Sequence, residues 1–423
     1  MTRAASLTAF RDSSGPVAAD PAGFSRRIKL ARDVAPDLSF SIHVRLASVE
    51  ADWRRFEQSA DATPFQTFAW LSAWHRHIGV RDGVVPVIVV VRFGDGEVAS
   101  ILPLAVEPNR SARRLCWLGQ ELCDYNAPLL ARDFSQRVTP AVFVDFWRAL
   151  RRQMRSDPQL RHDWIEFEKM PETVGAQTNP FTHLDVRANA NSAHFAELGG
   201  DWQMYYRAKR SSATRRRDRA KRRHIEAFGE IRFVTAADRD DIRDTLGTLW
   251  EQKKRIFARK GIADIFSRPG YHEFFLDFAT NPQSRHMAHV SRIDVGATSA
   301  AVNFAIVFGD GYYHVLSSYC DGQLTHYGPG TLHLRELLAY AIGKGLRRFD
   351  FTIGDEPYKS EWCDHRVALF DYSAAANWRG WPMSALSMIR RRTKRFIKQT
   401  PPIWRFVTRF RSALGAVARR RTK

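Results

Sequence analysis

No run of eighteen apolar residues occurs anywhere in the 423 residues, so no transmembrane helix is expected. Residues 1–37 are rich in Ala, Ser, Pro, Asp and Arg and hold no apolar core of the kind a secretory signal needs. They read as a disordered leader. Cysteine is scarce: Cys116, Cys123, Cys320 and Cys363 stand far apart and without metal-ligand spacing. That pattern fits buried, reduced thiols and a cytoplasmic compartment, and no metal site is expected. No Cys–His or Ser–His pairing is legible. Acid is absent altogether from Trp378 to Lys423, where fourteen Lys or Arg stand.

The net charge of +20 is therefore uneven. Besides the tail, Arg207 to Arg223 holds ten basic residues against one acid, Asp218. The remainder is close to neutral. Two local devices, not a uniformly basic nucleic-acid protein, set the high isoelectric point.

Periodicity predicts an α/β chain of two similar halves. Ile42–Leu46 reads as a strand and Val49 to Ser59 as a helix. Phe65, Phe68, Leu71 and Trp74 then recur at helical spacing and read as core. Val84 to Arg92 and Val98 to Val106 form a hairpin around Gly94-Asp-Gly96. Arg114 to Leu118 and Asp163 to Phe167 are strands, with a polar loop at Asp124 to Pro128 and a helix over Val138 to Met154. The pattern repeats. Leu198 to Phe228 is one long helix or a pair, Ile231–Val234 a strand, Ile242 to Lys260 and Tyr271 to Ala279 helices. A meander over His286 to Ile293, Ala301 to Phe308 and Tyr312 to Tyr319 turns at Gly309-Asp-Gly311. Thr331 to Gly343 is a helix, Arg347 to Ile353 a strand, and Val367 to Ser373 is expected to close the second sheet. The expected boundaries are a leader over 1–37, halves over 38–190 and 191–376, and a basic tail over 377–423.

The most informative stretch runs from Phe349 to Trp362. Phe349, Phe351 and Ile353 alternate with Asp350 and Thr352 as in a half-buried strand. Gly354 ends it, and Asp355, Glu356, Tyr358, Lys359 and Glu361 gather at its carboxyl end, where open α/β sheets hold ligands. Just upstream, Tyr327-Gly-Pro-Gly-Thr-Leu-His-Leu334 reads as a glycine-rich turn opening a helix. His326 and His333 flank it as packed or exposed side chains. Asp350 points to the opposite face of the sheet.

Gly328-Pro-Gly-Thr-Leu, Gly345-Leu-Arg-Arg-Phe-Asp-Phe and Gly354-Asp-Glu-Pro-Tyr-Lys together resemble the acetyltransferase domain of bacterial cellulose- and exopolysaccharide-associated (CelD-like) proteins. These belong to the GNAT superfamily of acyltransferases and are related to Fem-type aminoacyl ligases. The resemblance covers roughly residues 40 to 375. It implies tandem GNAT-like halves, each a mixed, largely antiparallel sheet flanked by helices. It implies acetyl-CoA or another acyl-CoA as donor, its pyrophosphate held by Gly328, Gly330 and Thr331 at the helix start. The superfamily signature has Gln or Arg three residues before the first glycine; this chain has Thr325. By the same resemblance Lys359 serves the reacting carbonyl. Tyr358 is a candidate to hold substrate or donate a proton, and Asp355 and Glu356 either orient the acceptor or take its proton, or one of them only pairs with Lys359 or accepts backbone N–H bonds in the loop. The run Ser211 with Arg215 to Arg222 matches a Ser-x-x-x-Arg-Arg-x-x-Arg pattern of the family, so Arg215 and Arg219 are expected to bind a phosphate-bearing ligand. A saccharide or lipid-linked envelope acceptor follows from the association; tRNA is the rival donor, and a scaffold without turnover is the third reading.

In the tail, Ile403, Phe406, Val407, Phe410, Leu414 and Val417 lie at helical spacing, interleaved with Arg405, Arg409 and Arg411. With Trp378, Trp381 and Trp404 they predict a basic amphipathic helix at the inner face of an anionic membrane.

Overall fold

The computed structural model describes residues 28–29, 38–108, 112–400 and 402–403. Two mixed sheets, each covered by helices, make up the fold. The first follows the order Ile28–Lys29, Ser39–His43, Val85–Arg92, Val98–Pro108, Arg113–Trp117, Trp164–Pro171, Leu369–Ala375, Arg187–Ala188. The second runs Ile231–Thr235, Ala288–Val295, Thr298–Phe308, Gly311–Tyr319, Arg348–Ile353, Ala193–Glu197, His365–Val367. Each holds an antiparallel meander followed by one parallel pair: Arg113–Trp117 with Trp164–Pro171, and Gly311–Tyr319 with Arg348–Ile353. In both halves the second strand of that pair contains a non-glycine residue in the left-handed region, Lys169 at φ 57° and Thr352 at φ 55°. Such a residue turns the strand sharply and stores strain of roughly 1–2 kcal/mol. The internal repeat thus extends to a local backbone irregularity.

Two expectations need correction. Leu369–Ala375 does not close the second sheet; it pairs with Trp164–Pro171 in the first. The chain crosses back because His365–Val367 finishes pairing with Ala193–Glu197 and only Ala368 separates the two strands. Within the expected disordered leader, Ile28–Lys29 pairs with Ser39–Phe40; the rest of the leader lies outside the described residues. Of the two arrangements expected for Leu198 to Phe228, the structure has the helix pair, Trp202–Lys209 and Ser212–Glu226, because Ser211 caps the second by accepting from Thr214 N.

The halves share a core. Trp70, on the aromatic helix Phe68–Trp74, packs edge-on against Phe274 and Phe278 of the helix Tyr271–Thr280, with centroids 4.7 and 4.9 Å apart. Tyr125 of the first half donates to the fully buried Asp350 of the second at 2.7 Å. The helices Arg239–Lys260 and Pro329–Gly343 cover opposite faces of the second sheet. Phe304 packs with Leu249 and Trp250 of the former, and its neighbour Ala305 with Leu334 and Leu337 of the latter. The tail helix Gly380–Gln399 lies on the first half, where Arg391 pairs with Glu166 at 2.6 Å and Ser387 donates to the same carboxylate. Residues 404–423, with most of the expected amphipathic repeat, lie outside the described residues.

Candidate functional site

The parallel pair of the second sheet opens as it runs. Gly311, Tyr312 and Tyr313 pair with Arg348, Phe349 and Asp350, and no ladder pair follows. The meander register also shifts between Phe304 and Ala305, leaving Val315 as an extra residue. A wedge therefore opens at His314.

A cavity of about 590 Å³ lies against this wedge. Its wall includes His314 and Tyr319 of the strand, Gly328, Gly330 and Thr331 of the glycine turn, Thr214, Arg217 and Lys221 of the arginine helix, and Tyr358 and Trp362 beyond the strand end. Gly328 takes φ 72° as the N-cap of Pro329–Gly343, and Pro329 occupies the first turn. First-turn N–H groups have no intrahelical acceptor, so this helix start presents donors and a positive dipole end to the cavity. A Cβ on Gly330 would meet the Tyr319 ring at 3.4 Å, inside the cavity wall. Thr325 also lines the cavity, but its hydroxyl donates to Cys320 O at 2.8 Å and braces the turn. Arg217 and Lys221 bring the positive charge.

Asp218 sets the rotation of the arginine helix. It is buried, accepts from Tyr206 at 2.6 Å, and faces the guanidinium groups of Arg335 at 3.4 Å and Arg210 at 3.9 Å. Thr214 and Lys221, four before and three after it, and the adjacent Arg217 line the cavity; Arg215 and Arg219 do not. Arg215 instead donates to Arg207 O and Arg210 O, tying the two helices, and Arg219 is exposed.

Tyr358 lines the cavity, and burial, then the Glu356 carboxylate, push its hydroxyl up, so it stays protonated. Lys359 is buried. Its Nζ donates to Ile353 O at 3.0 Å and Thr352 O at 3.3 Å and pairs with Glu356 at 3.0 Å. All three donors are thus occupied, two of them on carbonyls at the Thr352 bend, and service to a reacting carbonyl requires the Glu356 pair to open. Asp355 is exposed and faces His194 at 3.1 Å. His333 bonds to Ser291 at 3.2 Å; burial lowers it. Burial, then Lys359 and Lys253, hold His314 down to about 3, so it is a neutral ring at the wedge.

Two residues not singled out in the sequence complete the site on the other face. Asp124, from the polar loop of the first half, shares a hydrogen bond with Thr352 and feels Lys169 and Lys359; burial nevertheless raises its carboxyl. Lys253, on the helix Arg239–Lys260, is held down to about 8 by burial and then by Lys260, against the opposing pull of Glu356 and Asp124. An amine with that proton affinity is partly neutral at physiological pH. Asp124 and Lys253 belong to different halves, so no local motif could reveal their meeting.

At the corresponding place in the first half the cavity is only about 150 Å³ and is lined by Arg114, Cys116, Glu166 and Glu168. Arg114 pairs there with Glu107 and with Glu166, and Arg391 reaches Glu166 from the tail helix. Burial pushes the Cys123 thiol to about 12, and the Cys363 thiol likewise, so both stay protonated. Among the described residues no group of three or more His, Cys, Asp or Glu is arranged to hold a metal ion, and no helix is long and apolar enough to cross a membrane.

Residues 212–360 match the family described as "Acetyltransferase (GNAT) domain". The span begins at the arginine helix and ends just past Lys359, so it contains the glycine turn, the wedge and Lys253. No curated protein matches the chain. Among solved structures, FemX superposes with a TM-score of 0.53 at 10% identity, covering 80% of this chain and 98% of its own. The C-terminal domain (DUF2156) of a putative lysylphosphatidylglycerol synthetase from Agrobacterium fabrum covers 82% and 95%, at 10% identity and a TM-score of 0.46. A tandem GNAT protein from the clavulanic acid biosynthesis pathway covers 81% and 99%, at 11% identity and 0.41. This chain has an α/β fold of two GNAT-like halves, the second carries the match to the GNAT acetyltransferase domain, and together these support a transferase of that fold.

Proposed function

We propose that the second half transfers an acyl group from an acyl-coenzyme A thioester, acetyl-CoA being the simplest, to an amine or hydroxyl. The observation that carries this reading is the cavity that joins a glycine-opened helix start to the wedge, with Arg217 and Lys221 above it. Helix-start N–H groups and two cations suit a pyrophosphate. Gly330 lets that group approach the backbone. The thioester then enters the wedge beside the neutral His314.

The acceptor reaches the wedge from the seam between the halves, beside Asp124, Lys253 and Glu356. Neutral Lys253 takes a proton from the acceptor as its nitrogen or oxygen bonds to the thioester carbon. The tetrahedral intermediate collapses and the carbon–sulfur bond breaks. Tyr358 gives its proton to the departing thiolate and regains one from Lys253 through solvent. Acceptor and acyl thioester thus become acylated acceptor and free thiol, with no covalent enzyme intermediate. Holding both reactants in one cleft removes much of the entropic barrier. Asp355 and Glu356 orient the acceptor. The resemblance to cellulose- and exopolysaccharide-associated proteins points to a saccharide or lipid-linked acceptor on the cytoplasmic side of the envelope.

The test is thiol release from acetyl-CoA with a panel of amino and hydroxyl saccharides. Acceptor-dependent release that disappears in Lys253→Met supports the assignment; release that survives unchanged contradicts it. A second reading keeps the cleft and changes the donor. Arg216, Arg219 and Arg223 are exposed on the arginine helix, a surface that suits the backbone of a charged tRNA. Steeply salt-dependent tRNA binding without acyl-CoA binding would favour it.

A further inference from the structure

The tail helix Gly380–Gln399 is inverted in its amphipathicity. Its inward face is polar. Ser384 bonds to Ser373, Ser387 donates to Glu166, and Arg391 faces Glu166, Glu168 and Asp371. Its outward face is apolar. Trp381 is 70% exposed, Leu386 62%, Ile389 61% and Phe396 62%, and Trp378 just before the helix is 84% exposed. A helix normally buries such a stripe against its own protein. Here the protein side is satisfied by ion pairs and the apolar stripe faces outward.

The charge around the stripe selects the occupant. Arg379, Arg390, Arg392, Lys394 and Arg395 lie along the same segment, and no acid occurs from Trp378 to Lys423. A second copy would bring an equal positive charge against this face, which disfavours a symmetric dimer. An anionic bilayer supplies both hydrocarbon and negative headgroups. Tryptophan at the boundary and arginine beside apolar side chains match the polarity profile of that interface. A separate feature points the same way. A cavity of about 590 Å³ sits at the start of the helix, lined by Arg113, Arg155, Arg161, His162 and Trp378 and by one acid, Asp163, whose carboxylate accepts from Arg113 N and Asn377 Nδ2. His162 is buried, and its Nε2 has no hydrogen-bond partner among the described residues. A headgroup phosphate beside the bilayer plane is the anion this cavity suits.

We infer that the helix Gly380–Gln399 lies flat on an anionic membrane surface, with Trp381, Leu386, Ile389 and Phe396 in the interface and the flanking arginines on the headgroups. The first half is then the membrane-facing side of the molecule. This inference is independent of the reaction at the second half.

The test is sedimentation of the full-length chain with vesicles of phosphatidylcholine alone or with one-third phosphatidylglycerol. Binding roughly tenfold or more stronger to the anionic vesicles is expected, weakened by salt. The double variant Ile389→Glu/Phe396→Glu should lose most of it while keeping its thermal midpoint, because both side chains are already exposed. Arg392→Gln/Arg395→Gln should narrow the preference for anionic lipid. Equal binding to both vesicle types, binding unchanged in the glutamate variant, or a dimer in gel filtration that Ile389→Glu dissolves would each overturn the assignment.

Discussion

Replacing Lys253 by Met should inactivate the protein and stabilise it. The amine has an ordinary pKa of 10.5 and is held at about 8 in the folded chain. Each tenfold loss of proton affinity corresponds to about 1.36 kcal/mol, so keeping this ammonium charged in place costs up to about 3 kcal/mol. Partial exposure of the side chain reduces the figure, and about 1–3 kcal/mol is the working range. The sign follows from proton counts. Between pH 8 and 10.5 the unfolded chain binds more protons at this residue than the folded one, so its destabilisation fades as pH rises through that window. Below pH 8 it is present in full. Methionine, similar in length and uncharged, removes it. Chemical denaturation of wild type and Lys253→Met at pH 7 and pH 10 measures the difference. The variant should be more stable at pH 7, with a smaller advantage at pH 10, while acceptor-dependent thiol release falls by roughly 100-fold or more. A variant less stable than wild type at pH 7, or an advantage that does not change with pH, would refute the reasoning.

The same amine gives a pH profile: about a tenth is neutral at pH 7 and about nine-tenths at pH 9, so the acceptor-saturated rate should climb nearly tenfold, with an apparent pKa near 8. Gly330→Ala should stabilise the helix Pro329–Gly343 by up to about 1 kcal/mol, since alanine is the better helix former, yet weaken donor binding because its methyl enters the cavity beside Tyr319; thermal melting and titration calorimetry read the two effects. Arg217→Ala and Lys221→Ala should each weaken donor binding by roughly fivefold, more at low salt, whereas Arg219→Ala should leave it unchanged. Tyr358→Phe should lower kcat by roughly tenfold or more with KM for the donor little altered, as expected of a proton donor to the leaving thiolate.

Much of this fold is written in local pattern. The two hairpins, the aromatic helix and the glycine-opened helix follow from alternation, helical spacing and turn chemistry, and their boundaries fall within a few residues of those expected. The misplaced strand shows where such reasoning stops. Leu369–Ala375 has the alternation of a sheet strand, but alternation does not name the partner, and the choice of the first sheet rests on contacts with Trp164–Pro171 some two hundred residues earlier.

The site divides along the same line. The glycine turn and Tyr358 were legible because they lie on one short stretch. Arg215 and Arg219 were singled out from a charge run that gives no rotation for the helix. Asp218 narrows it: a lone acid among ten basic residues is the side chain that turns inward, and Thr214 and Lys221, four before and three after it, share its face, although the same spacing does not separate Arg215 from them. The resemblance gives Lys359 to the reacting carbonyl, and the residues alone also allow it a carboxylate partner; the structure has that partner in Glu356, with two further donors on the carbonyls beside the left-handed Thr352. Asp124 and Lys253 carry no local signature. Burial is the first cause of both pKa shifts, and the charges that act on each come from both halves.

Calorimetric titration of the full-length protein with acetyl-CoA tests the central claim most directly. The account predicts saturable binding at one site, weakened in Gly330→Val and in Arg217→Ala and unchanged in Arg219→Ala. Absence of binding in protein shown to be folded, or binding indifferent to Gly330 and Arg217, would contradict it.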